Sequence, residues 1–175
     1  MRILLMSSRK KAIQYRIEYV VTKTALAAGR VLSGTGAVRA GRILGWFIYR
    51  ILKARAGVVK KNLTVAFPHI SEKKKDDIAL NAYRNLGMLI CEFLRLPWMS
   101  REELILRCRP SDPELVRKLS DIGKGGVMVS GHFGNWEMLL ASLSVHGFPI
   151  SCIVKEQHNP LTDREINRVR EKNGD

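Results

Sequence analysis

Apolar positions recur at helical spacing through the first half of the chain and condense into short unbroken runs in the second. Residues 12–32 and 38–54 read as two helical stretches, separated by a break at Ser33, Gly34, Thr35 and Gly36. Residues 58–67 form a further region that Pro68 ends. Ser71 is placed to cap a helix over 72–95, in which Ile78, Ala82, Leu86, Leu89, Ile90, Phe93 and Leu94 follow helical periodicity and Pro97 is the stop. Three lysines, Lys73 to Lys75, open that helix against its dipole.

Ser111-Asp112-Pro113-Glu114 starts another helix, with a Ser cap, Pro in the first turn and Glu three residues after the Ser. It ends near Gly123. The run 127–130 suits a buried strand, and a helix opening around residues 132–137 continues to about Val145. Residues 148–154 give a second strand-like run, and 162–173 a polar helix opened by Thr162. Strand, helix, strand, helix predicts an α/β layer with parallel strands. Two strands are too few for a stable open sheet, so the expectation is the start of such a domain, truncated at Asp175. The domains read as a basic, helical, membrane-associated region over 1–56 and the α/β part over 57–175.

At 46% hydrophobic and 26% charged, the 175-residue chain is too apolar for general disorder. Its net charge of +14 is unevenly placed. Residues 1–75 hold 17 Lys/Arg against Glu18 and Glu72, about +15, and the remainder is close to neutral. Such a half attracts polyanions, nucleic acid and anionic lipid alike. Over 12–51, single Lys or Arg residues interrupt apolar runs, and aromatics sit within those runs and form no stacking platform. That pattern favours a membrane surface over nucleic acid. With no stretch of about 18 uncharged residues, an in-plane amphipathic helix fits better than a transmembrane span. Met1 to Met6 is too short an apolar run for a secretory signal, and its positive charges follow it. Basic residues beside a membrane-binding segment favour the cytoplasmic face. Cys91, Cys108 and Cys152 have no CxxC spacing and read as reduced thiols filling core positions.

His132 and Glu137 are the candidate chemistry. A His at a strand end and an acid in the first turn of the next helix can bend toward each other. Imidazole is basic enough to take a proton from an alcohol, and a carboxylate orients it and stabilises the imidazolium. Gly131 and Gly134 leave bare backbone for a substrate to approach. N–H groups around Gly134 and Asn135 suit an oxyanion or a phosphate. His146 before Gly147 reads as a helix C-cap and His158 as a loop residue; no HExxH or Cys/His cluster calls for zinc.

The segment GVMVSGHFGNWE over 126–137 resembles the active-site motif of the lipid A biosynthesis acyltransferases, which add secondary (late) acyl chains. They belong to the wider lysophospholipid-acyltransferase-like superfamily, marked by the HX4E motif. VKKNLTVAFP (59–68), CEFLRLP (91–97), NPLTDR (159–164), NRVR (167–170) and Gly174 match the family's habit in the same order, so the resemblance runs from about Tyr15 to Asp175. It implies an inner-membrane enzyme on the cytoplasmic face, anchored through its N-terminus and needing no cofactor or metal. Acyl-carrier protein, or coenzyme A in some relatives, donates the acyl chain as a thioester; a lipid A precursor accepts it on a hydroxyl. By the family's motif His132 is the general base and Glu137 its partner. The family also uses an arginine in the segment equivalent to 164–170, so Arg170, then Arg168, with Arg164 nearby, are candidates for phosphate or carrier contact. Family members continue past this point with further strands and an Asp/Arg-bearing region. Related glycolipid or lysophospholipid acceptors, and a non-catalytic membrane-binding module, are the alternative readings.

Overall fold

The computed structural model describes residues 2–148 and 150–172, without the side chains of residues 2–8, 116, 119 and 120. Among these residues there are helices and no strand: α1 (Arg2–Ala28), α2 (Gly34–Phe47), α3 (Ala56–Ala66), α4 (Glu72–Arg95), α5 (Arg101–Arg107), α6 (Pro113–Asp121), α7 (Trp136–Val145) and α8 (Pro160–Lys172). The expected parallel-strand α/β layer is therefore corrected to a helical architecture. Segment 127–130 and the described part of 148–154 take no regular secondary structure and enter no ladder, and Val127 and Val129 are more than 90% exposed. A strand is a relation between two segments, since only a neighbour satisfies its backbone N–H and C=O groups. Neither run meets one among the described residues. Gly174 and the chain end at Asp175 lie outside them.

The chain forms two compact units, Val31–Arg95 and Met1–Arg30 with Leu96–Asp175. In the first, Ser33 caps α2 by accepting a hydrogen bond from Gly36 N at 3.0 Å, where the sequence shows a break. α2 runs on into a π-helical turn, Ile48–Leu52. Lys53 and Arg55 then take left-handed backbone angles (φ 51° and 55°) and turn the chain into α3.

α2 and α4 pack through a stripe at four-residue intervals, Ala37, Gly41, Gly45 and Tyr49 against Ala79, Tyr83, Gly87 and Cys91, small but for the two tyrosines. A Cβ added at Gly45 would stand 2.1 Å from the Tyr83 carbonyl oxygen, and one at Gly87 the same distance from Gly41 O. Only glycine admits backbones this close. The buried stripe of α4 is thus not the run of large apolar residues that periodicity singles out; Leu86 and Ala82 of that run are exposed. Close approach selects small residues, whatever their hydrophobicity.

Two tyrosines close the open end of this pair, their ring centroids 5.0 Å apart. Tyr83 donates to the Ala54 carbonyl, and Tyr49 donates to Asp76 Oδ1 at 2.6 Å. Arg50 and Lys60 also reach Asp76, at 2.8 and 3.6 Å. Ser71 caps α4 through Lys74 N. Of the three lysines that open α4, Lys75 is buried and bonds Glu72 Oε1 at 2.7 Å, which accounts for its place there.

In the second unit α8 lies along α1, and α7 against α5. Trp98 Nε1 donates to Leu26 O at 2.8 Å, and Asn159 Nδ2 donates to both Tyr15 O and Glu18 Oε2. Asn159 also caps α8, accepting from Leu161 N, so the helix opens at Pro160, two residues before the Thr162 start read from sequence. Asp112, one residue after the expected Ser111, caps α6 through Leu115 N. The core is Leu96, Leu104, Met138, Ala141, Val145 and Val169.

Candidate active site

The site is built where the irregular, bent segment 131–135 leads into α7. Gly134 has φ +62°, in the left-handed region that L side chains rarely adopt; no atom crowds its missing Cβ, so conformation alone asks for glycine there. Asn135 is the N-cap, its Oδ1 accepting from Met138 N at 3.1 Å. Glu137 falls in the first turn of α7, where the helix dipole favours a carboxylate.

Glu137 is only 7% exposed, and a buried carboxylate needs a partner. Arg170, from the last turn of α8, supplies it in a two-bond clasp. Its Nε donates to Oε2 at 3.0 Å and its Nη2 to Oε1 at 2.6 Å. The hydrogen bond to Glu137 pushes the Arg170 guanidinium above its ordinary value, against the opposing effect of burial. Asn167, one turn earlier on α8, accepts from Arg170 Nη1 at 3.2 Å. Trp136 Nε1 donates to Glu137 Oε1 at 3.2 Å.

His132 is exposed and lies edge-on to the Trp136 indole, with ring centroids 4.8 Å apart. Among the described residues the partners of Glu137 are Trp136 and Arg170, not His132. The structure brings His132, Glu137, Gly134, Asn135 and Arg170 to one neighbourhood, with Trp136 in contact with both imidazole and carboxylate. Arg168 stands apart from it, bonding Glu165 on its own helix at 2.9 Å with a largely exposed side chain. Arg164 lines an open groove with Asp163, Arg168 and Glu171, where acids accompany the arginines.

A cavity of about 360 Å³ adjoins the Glu137–Arg170 pair. Leu96, Leu140, Ala141, Ile150 and Val154 give it an apolar wall, and Ser144, Cys152, Asn167 and Glu171 complete it. Trp136 and Asn167 are functional neighbours that sequence reading passed over, although both lie inside the motifs quoted above. The signal for Asn167 was its spacing of three from Arg170, which on a helix makes the two neighbours. Among the described residues no group of three or more His, Cys, Asp or Glu is placed to hold a metal ion.

His132 rests against Trp136, and Glu137 is clasped by Arg170 at the start of α7, beside a cavity with an apolar wall. Residues 7–175 match the family described as bacterial lipid A biosynthesis acyltransferase, and the chain belongs to that family. Comparisons with curated proteins and with solved structures find no match.

Proposed function

We propose that the chain moves a fatty acyl group from an acyl-carrier-protein thioester, or from acyl coenzyme A, to a hydroxyl of a lipid A precursor. In this reading His132 takes the hydroxyl proton while the oxygen attacks the thioester carbonyl. Backbone donors near Gly134 and Asn135 stabilise the oxyanion; the C–S bond then breaks and the thiolate recovers the proton from the imidazolium. The observation that carries this reading is the buried Glu137 carboxylate, five residues after His132 and clasped through two hydrogen bonds by Arg170. The apolar wall of the adjoining cavity supports an acyl chain as the group bound beside it.

The place of work in this reading is the cytoplasmic face of the inner membrane. Each unit supports it with its own apolar and basic surface. On α1, Ile13, Ile17, Val20 and Val21 are exposed at helical spacing, with Arg9, Lys10, Arg16 and Lys23 on the same helix. On α2 and its π turn, Ile43, Trp46, Phe47, Ile51 and Leu52 are exposed among Arg39, Arg42 and Arg50. No helix among the described residues is long and apolar enough to cross a membrane, so the contact proposed is in-plane, with basic stems reaching headgroups.

Replacing His132 with Ala removes about 10²–10⁴-fold of the rate if it is the general base. Transfer of a radiolabelled acyl group from carrier protein to a lipid A precursor measures this, and wild-type turnover in His132→Ala refutes the assignment. Lipid analysis of a strain lacking the gene fixes the acceptor: a lipid A short of one acyl chain supports it, and loss from another glycolipid or a phospholipid replaces it.

A further inference from the structure

We infer that Arg170 is a positioning residue that holds Glu137 so that one hydrogen-bonding site remains on the carboxylate, on Oε2, for His132. The inference rests on the general-base reading of His132 and adds to it the residue that makes Glu137 a usable partner. A carboxylate offers about four acceptor sites, two on each oxygen. Oε1 already accepts from Arg170 Nη2 at 2.6 Å and from Trp136 Nε1 at 3.2 Å, so it is full. Among the described residues, Oε2 accepts from Arg170 Nε alone, at 3.0 Å.

Oε2 is therefore where an imidazole N–H can dock. His132 already rests against the Trp136 ring that donates to the same carboxylate, and open space surrounds the positions of Gly131 and Gly134 on either side of it. His132 is exposed and Glu137 buried, so completing the pair takes a rearrangement of this turn. The same geometry removes Arg170 from the pool of phosphate ligands. Its Nε/Nη2 edge, which would chelate a phosphate, is spent on Glu137, and Nη1 is turned to Asn167. Lysine is no substitute, because an ammonium is a point charge and cannot grip both carboxylate oxygens in a fixed plane.

The test uses the full gene product with carrier-protein thioester and lipid A precursor. Arg170→Ala and Arg170→Lys lower kcat by roughly 100-fold, the cost of a misplaced catalytic group, while KM for donor and acceptor stays within about twofold. Added guanidinium ion restores part of kcat in Arg170→Ala but none in His132→Ala. A KM raised about tenfold or more with unchanged kcat makes Arg170 a substrate contact and overturns the inference. So does a near-wild-type kcat in Arg170→Lys.

A readout without turnover covers a variant that folds poorly. Removing Arg170 strands a buried carboxylate and lowers the melting temperature, and the double variant Arg170→Ala/Glu137→Gln recovers that loss. Additive losses overturn the clasp. Failure of the general-base reading is separately visible, as wild-type turnover in His132→Ala.

Discussion

Consider Gly45→Ala, one methyl group added where α2 meets α4. The new Cβ lands 2.1 Å from Tyr83 O, 2.5 Å from Tyr83 C and 2.5 Å from Arg84 Cα, all main-chain atoms. No rotamer change relieves a clash with backbone, so the helices have to separate by roughly 1 Å, and a gap of that size forfeits a quarter to a half of each dispersion contact it opens. Overpacking of this kind costs about 1–3 kcal/mol, and a backbone clash puts it at the upper end. Alanine returns up to about 1 kcal/mol of helix propensity. The net destabilisation is roughly 2 kcal/mol. Gly57→Ala is the internal control: no atom lies within 4 Å of its missing Cβ in the first turn of α3, so propensity acts alone and the change is neutral to about 1 kcal/mol stabilising. Urea titrations followed by far-UV circular dichroism measure both. If Gly45→Ala and Gly57→Ala shift the midpoint in the same direction, glycine is not what sets the distance between these helices.

The Tyr49–Asp76 hydrogen bond makes stability depend on pH at both extremes. Tyr49 holds the Asp76 carboxyl below its usual value, so that contribution is present above the ordinary carboxylate range and lost as acid protonates Asp76. Burial, and then the bond to Asp76, push the Tyr49 phenol up to about 12, so its contribution is intact below about pH 10 and fades as pH rises toward 12. Tyr49→Phe flattens both shoulders of melting temperature against pH, and an unaltered profile counts against the bond. Vesicles test the membrane surfaces: with part of their lipid anionic they retain the protein at low salt, Trp46→Ser/Phe47→Ser weakens retention, and raising salt weakens it further. Equal binding to neutral vesicles contradicts the electrostatic part.

Helices with strong local signals were legible, whereas α5 was not read and α2 begins at Gly34, inside the expected break. Ser71 before an apolar-periodic run gave α4 its bounds, and Ser33 caps α2. What was not legible depends on relations between distant segments. The run 127–130 has strand composition, but composition does not supply the neighbour that makes a strand. On α4, hydrophobicity picked Leu86, whereas the contact lies along Ala79, Tyr83 and Gly87, since which face is buried depends on how near α2 comes. In the candidate site, the five-residue spacing of His132 and Glu137 is a weak signal alone, and the resemblance of the whole motif is what singled them out. The clasp of Glu137 by Arg170 joins residues 33 apart in sequence and exists only because α7 and α8 come together.

The turn between α2 and α3 holds Lys53 and Arg55 in left-handed backbone geometry, a conformation that costs of order 1 kcal/mol or more for each side-chain-bearing residue. Glycine at both places would relieve that strain, yet it would also delete two cations at the tip next to the bare Ile51 and Leu52 side chains. The elbow thus combines backbone strain with two positive charges. Its relaxed double-glycine form would be a sturdier molecule with a weaker hold on any acidic surface it touches.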